Sequence, residues 1–132
     1  MREFKFRAWD DEAKKMYSPE DLEQPEITDD TKRTVYSYLS FGVLYIYDFR
    51  EQEPIEFLPM LCTGWYDKNR KEVYEGDVIK MEEGLHQVMW SEEIAGFVIL
   101  SRDGMLMMGG NHLTDSIEVV GNIYENPGLL GY

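Results

Sequence analysis

At 132 residues and 15.5 kDa, the chain has the length of one domain on the usual scale of roughly 100–200 residues. It carries 13 Lys and Arg against 26 Asp and Glu, a net charge of −13, and acids outnumber bases over 1–34, 35–100 and 101–132 alike. Such a surface repels phosphate backbones and anionic headgroups, so no direct binding to nucleic acid and no membrane association is expected. The one cysteine, Cys62, allows neither an intramolecular disulfide nor a multi-thiolate metal site, and fits a reducing cytoplasm. The N-terminus lacks the apolar middle of a signal peptide, and no run approaches the ~18 apolar residues of a membrane span.

Aromatic residues make up 14% of the chain, and their preference for pleated, half-buried surfaces predicts a mainly β fold with at most one short helix. Residues 2–9 alternate polar and apolar with Phe4, Phe6 and Ala8 on one face, the period of a strand with one wet side. Trp9 falls off that face and needs its own cover or a partner. Residues 10–15 read as a charged loop. Ser18-Pro19-Glu20-Asp21 has a cap, a first-turn proline and first-turn acids, and Pro25 keeps the resulting helix short. A mobile acidic loop is expected over about 23–33, where apolar side chains are scarce.

Residues 35–47 form an almost unbroken apolar and aromatic run, interrupted only at Ser40-Phe41-Gly42, which suits two strands or one long bent strand. A run of this kind is typical of a strand covered on both faces. A small barrel covers one face, so the surplus predicts self-association, with Trp9, Tyr36, Tyr38, Tyr45 and Tyr47 as the candidate interaction surface. The alternative is that the Ser18 helix and the 23–33 loop fold over the run. Residues 50–56, with Pro54, read as a polar linker dividing an N-terminal β-rich region, 1–56, from a C-terminal domain, 57–132.

In the C-terminal part Trp65-Tyr66 and Val73-Tyr74 flank a turn at 67–71, and Glu75-Gly76-Asp77 forms a second, tight turn. Further β runs follow at 78–81, 85–90, 96–100 and 117–124. Short strands between turn signals predict a small barrel or sandwich. Asp67 to Val78 fails as a calcium loop because Lys71, Glu72 and Val78 stand where an oxygen ligand, Gly and a bidentate acid are needed. Cys62, His86 and His112 share no catalytic or metal-ligand spacing, and the glycines at 104, 109 and 110 form no phosphate loop. Glu82-Glu83 and Glu92-Glu93 read as solvated loop acids. Met105 to Met108 reads as core filling in preference to an interaction surface.

Three segments together resemble the YopX-like proteins of phages and prophages: Phe6-Arg7-Ala8-Trp9-Asp10, the stretch from Leu61 to Ile79 with Thr63-Gly64, Asp67, Asn69 and Tyr74-Glu75-Gly76-Asp77, and Glu118 to Pro127 with Gly121-Asn122. The resemblance covers both ends and the middle of the chain. It implies a C-terminal SH3-like barrel behind a smaller N-terminal region, a phage or prophage source in a bacterial host cytoplasm, and no established activity. It supplies no catalytic, cofactor or metal residues. Gly64, Asp67, Asn69, Glu75, Gly76, Asp77, Gly121 and Asn122 are read as a structural turn motif. Two positions depart from the pattern: Arg70 replaces the usual turn Gly, which calls for another turn type, and Gly128 stands where an acid is common. The expected function is a non-enzymatic accessory protein that self-associates and works through protein contacts. Two rival classes are an acidic mimic of DNA that occupies the basic groove of a host protein, and a small-ligand binder or hydrolase with a pocket around His86 or His112.

Overall fold

The computed structural model describes residues 5–23, 34–50, 53–82 and 84–131, which divide into two compact units, Met1–Met60 and Leu61–Tyr132. The fold is mainly β, with two antiparallel sheets. In the first unit β1 (Phe6–Asp10) turns back into β2 (Lys15–Tyr17), Ala8 opposite Tyr17 and Asp10 opposite Lys15. The charged residues between them form a turn because Asp10 Oδ1 accepts the amides of Glu12 and Ala13 at 3.1 and 3.2 Å. Helix α1 (Pro19–Glu23) starts as its composition requires. Ser18 Oγ accepts the Asp21 amide and Asp21 Oδ2 accepts the Ser18 amide, a reciprocal cap that holds this short helix.

Strands β3 (Thr34–Ser40) and β4 (Val43–Arg50) form a hairpin, Ser40 opposite Val43, so the break at Phe41-Gly42 separates two strands. Both loop residues have positive φ, 50° and 78°, the geometry of the two-residue turn whose twist matches paired strands. Glycine accommodates this freely; Phe41 adopts it against its preference. Strand β5 runs from Glu53 to Tyr66, and the sheet order is β2-β1-β5-β4-β3. Residues 53–56 are therefore ladder rather than linker, with Pro54 opposite Phe49 and Glu56 opposite Tyr47, and the division between units falls within β5. The core of this unit joins Ala8, Tyr17, Ile46 and Phe57, with Tyr17 stacked on Phe57 at 4.9 Å. The expected loop at 24–33 and Phe4 lie outside the described residues.

In the second unit β6 (Glu72–Tyr74) pairs the end of β5, and the chain continues as β7 (Asp77–Met81), β8 (Gly84–Ser91), β9 (Gly96–Ser101), β10 (Leu106–Met108), a 3-10 helix (Asn111–Ser116) and β11 (Ile117–Asn122). Sheet order is β10-β9-β8-β7-β11: a meander whose last strand returns beside its first. Among the described residues β10 and β11 do not pair, so the expected SH3-like barrel is not closed; the order leaves two edges. Alternation sorts one face into the core. Ile79, Val88, Ile99 and Ile117 pack with Trp65 and Val73, and Trp65 meets Phe97 edge-on at 6.3 Å.

The β6–β7 turn fixes where this sheet begins. Gly76 has φ 89°, its amide donates to Val88 O at 2.8 Å, and its carbonyl accepts the Ile123 amide at 2.9 Å. A β-branched side chain is strained at this φ whatever the available space, so Gly76→Val should destabilise the protein by roughly 1–3 kcal/mol. Urea melts of the two proteins measure it, and an unchanged midpoint would contradict a left-handed Gly76.

Candidate functional site

The turn-motif residues of the second unit converge on backbone groups. Asp67 Oδ1 accepts the amides of Asn69 and Lys71 at 2.9 and 2.8 Å, while Oδ2 accepts the Val119 amide at 3.0 Å, 52 residues away. Lys68 N–H donates to Ile117 O at 2.9 Å, and Lys68 Nζ reaches Glu118 at 3.0 Å. The turn between β5 and β6 is thereby laced along the outer edge of β11. Burial pushes the Asp67 carboxyl up, but the amides of Val119, Lys71 and Asn69 and the nearby Lys71 charge together outweigh it and leave its pKa below the ordinary 3.8.

Arg70 does not select another turn type. It takes the left-handed conformation itself, φ 64°, its amide donating to Asp67 O at 3.0 Å while the Asp67 amide donates to Lys71 O at 2.9 Å. This is a type I turn closed by a left-handed residue, the usual place of glycine in a hairpin of this length.

The remaining members are engaged in the same way. Gly64, φ 84°, sits at the irregularity between the Cys62–Tyr74 and Tyr66–Glu72 pairs, where Thr63 Oγ1 donates to Val73 O and accepts the Trp65 amide. The Glu75 amide donates to Leu61 O, and Asp77 Oδ2 accepts the Tyr74 amide at 2.7 Å. Asn122 Oδ1 accepts the amides of Tyr124 and Glu125, and its Nδ2 donates to Glu125. Gly121 lies where a Cβ would stand 2.6 Å from Asn126 Oδ1 and 2.8 Å from Leu129. Close approach, rather than an unusual φ, accounts for glycine there.

A cavity of about 350 Å³ opens beside this turn, lined by Tyr66, Asp67, Lys68, Arg70, Asn111, Thr114 and Asp115. Asn111 fixes its wall, accepting the Tyr66 amide and donating to Gly64 O. It contains neither histidine. His86 lies on β8 against Gly84, and His112 lies in the 3-10 helix against Gly110. Cys62 Sγ is 3.8 Å from Glu72. No group of three or more His, Cys, Asp or Glu side chains that could hold a metal occurs among the described residues, and no described helix is long and apolar enough to cross a membrane.

Of the residues expected to form an interaction surface, Tyr36 stands opposite Tyr47 and Tyr38 opposite Tyr45 on the β3–β4 ladder, whereas Trp9 lies on β1. Trp9 is buried, its Nε1–H donating to Asp11 Oδ1 at 3.2 Å, because both faces of β1 are covered at Ala8 and Trp9. Tyr45 and Tyr47 are half-buried and stack on each other at 6.1 Å, and the side chains of Tyr36 and Tyr38 lie outside the described residues. Exposed apolar side chains occur elsewhere. Leu39, Phe41 and Val43 crown the β3–β4 hairpin, and Met105 to Met108 are exposed on β10 and its turn rather than filling the core. Apolar composition marked the second group, but only strand order shows that it lies on an edge.

Fold and site together define a small all-β protein whose motif residues pin turns to strands. A model of the family described as YopX protein matches residues 5–131, and the chain belongs to that family. The crystal structure of protein EF1440 from Enterococcus faecalis is similar over 98% of this chain and 99% of that one, with 25% identity and a TM-score of 0.60. The crystal structure of protein yopX from Bacillus subtilis shares the fold over 100% of this chain and 98% of that one, with 19% identity and a TM-score of 0.58. No curated protein matches.

Asp67 accepts three backbone amides in this region. Asp67→Asn puts an amide donor against one of three backbone donors and should cost roughly 2–4 kcal/mol at pH 7. Because the folded pKa lies below the unfolded one, the stabilisation is full above the ordinary 3.8 and is lost as pH falls through the folded value. Urea melts across pH 2–7 should show the stability gap between the intact protein and Asp67→Asn narrowing only below about pH 4. A pH-independent gap would contradict an ionised Asp67.

Proposed function

We propose that this is a non-enzymatic accessory protein of phage or prophage origin that works through protein contacts in the host cytoplasm and self-associates. Its second unit is read as an SH3-like barrel left open, a framework that serves binding by analogy only. The observation that carries the reading is the β3–β4 hairpin. Its tip is capped by a fully exposed Phe41 held at φ 50°, between Leu39, 66% exposed, and Val43. A bulky side chain in that conformation costs of order 1 kcal/mol, and strain of this kind is found at ligand clamps and switch regions. Phe41 at the apex, with Leu39 on one face of the ladder and Val43 on the other, offers an apolar anchor for a pocket on another protein.

In cross-linking from host cells, the intact protein should capture a defined partner, and Phe41→Ser should lose it with an unchanged melting temperature. Identical capture by both proteins would overturn the assignment of the hairpin.

A further inference from the structure

The two edges of the second sheet differ. On β11 the outward groups are occupied: Val119 N–H donates to Asp67 and Ile117 O accepts the Lys68 amide. On β10, among the described residues, nothing lies against the outer side, and Met105, Leu106, Met107 and Met108 are 42–72% exposed. Native sheets protect such edges with shortness, charge, proline, a bulge or a covering segment, and β10, three residues long, has only the first of these. Nor is it a slack loop. Gly104 turns at φ 86°, Ser101 accepts the Gly104 and Met105 amides through its carbonyl and hydroxyl oxygens, and Met105 O accepts the Ser101 amide. Beyond the strand, Gly109 lies so close to Trp65 that a Cβ there would stand 2.1 Å from the ring. The apolar edge is held in place at both ends.

We propose that β10 is the seam through which two copies of this chain pair, antiparallel about a two-fold axis at Met107, continuing the sheet from one copy into the other. The inference rests on the self-association proposed above and names its surface. Charge selects the occupant. Residues 104–114 contain no Asp, Glu, Lys or Arg in a chain of net charge −13, so two copies can meet here without juxtaposing carboxylates, whereas a charged partner gains nothing. The pattern is also self-complementary. Met107 faces Met107 of the second copy, and Leu106 faces Met108 on the other side of the sheet, so apolar side chains meet on both faces. One short ladder and four side chains cover less than the ~800 Å² per partner of a standard interface, so the dimer is weak, with a dissociation constant on the order of 100 µM. Each copy carries the same net charge, so added salt strengthens it.

Sedimentation of the full chain from about 10 µM to 1 mM tests this. The intact protein and Phe41→Ser should pass from 15.5 kDa towards twice that mass, more readily at high salt, while Met107→Lys stays at 15.5 kDa with an unchanged melting temperature. In a Cys62→Ser background, oxidised Met107→Cys should form a covalent dimer, and Val120→Cys on the opposite edge should not. A dimer that survives Met107→Lys overturns the seam and leaves self-association standing. An intact protein that stays monomeric throughout overturns both.

Discussion

One buried carboxylate holds the second unit together. Asp67 receives amides from its own turn and from Val119, so the turn that ends β5 and the strand that ends the sheet are joined through a single side chain. Once Asp67 is in place, Lys68 N–H meets Ile117 O, Lys68 Nζ meets Glu118, and β11 is held on its outer side as β7 holds it on its inner side. The cost of burying the charge is offset by three charge-assisted hydrogen bonds, which keep the group ionised. An apolar residue at this position would leave three donors without an acceptor.

This arrangement bears on function. The polar motif residues described in the second unit fasten backbone to backbone, as Asp77 does for the Tyr74 amide and Asn122 for those of Tyr124 and Glu125. Among the exposed apolar side chains of the described surface, two groups are contiguous in sequence, at the β3–β4 tip and along the β10 edge. The two suit different tasks on the proposed reading. A convex tip with Phe41 at its apex enters a pocket, whereas a flat edge with unmatched backbone groups accepts a strand. The acidic charge elsewhere discourages other contacts between copies and leaves these patches as places where molecules can meet.

Local chemistry was legible in the sequence; neighbourhood was not. The Ser18 cap, the 67–71 turn and the Glu75-Gly76-Asp77 turn each follow from residues within a few positions of one another and each is present, although Arg70 takes the left-handed place of glycine instead of changing the turn type. The tie from Asp67 to Val119 could not be read, since nothing in a lone Asp says which distant amide it will receive. Burial on a strand's second face depends on what is laid over it, and so the sequence leaves Trp9 between its own cover and a partner surface, whereas the fold encloses it. The same reasoning failed in reverse for Met105 to Met108, whose apolar character suits a core while strand order puts them on an edge. Pro54 suggested a linker, but β5 passes through it opposite Phe49. Strands and turns leave barrel and sandwich open and only the family resemblance implies an SH3-like barrel; closure depends on pairing between β10 and β11 that the described chain does not make.

Hydrogen exchange at the Val119 amide tests the central role of Asp67 most directly. The amide points away from β7 at the edge of a sheet, where it would ordinarily exchange with solvent within the time of local fraying. Bound to a buried carboxylate, it should be protected to the same level as the core amides of β7 and β8, exchanging only when the whole unit opens. Exchange at the rate of an unprotected edge amide, with β7 and β8 still protected, would contradict the account.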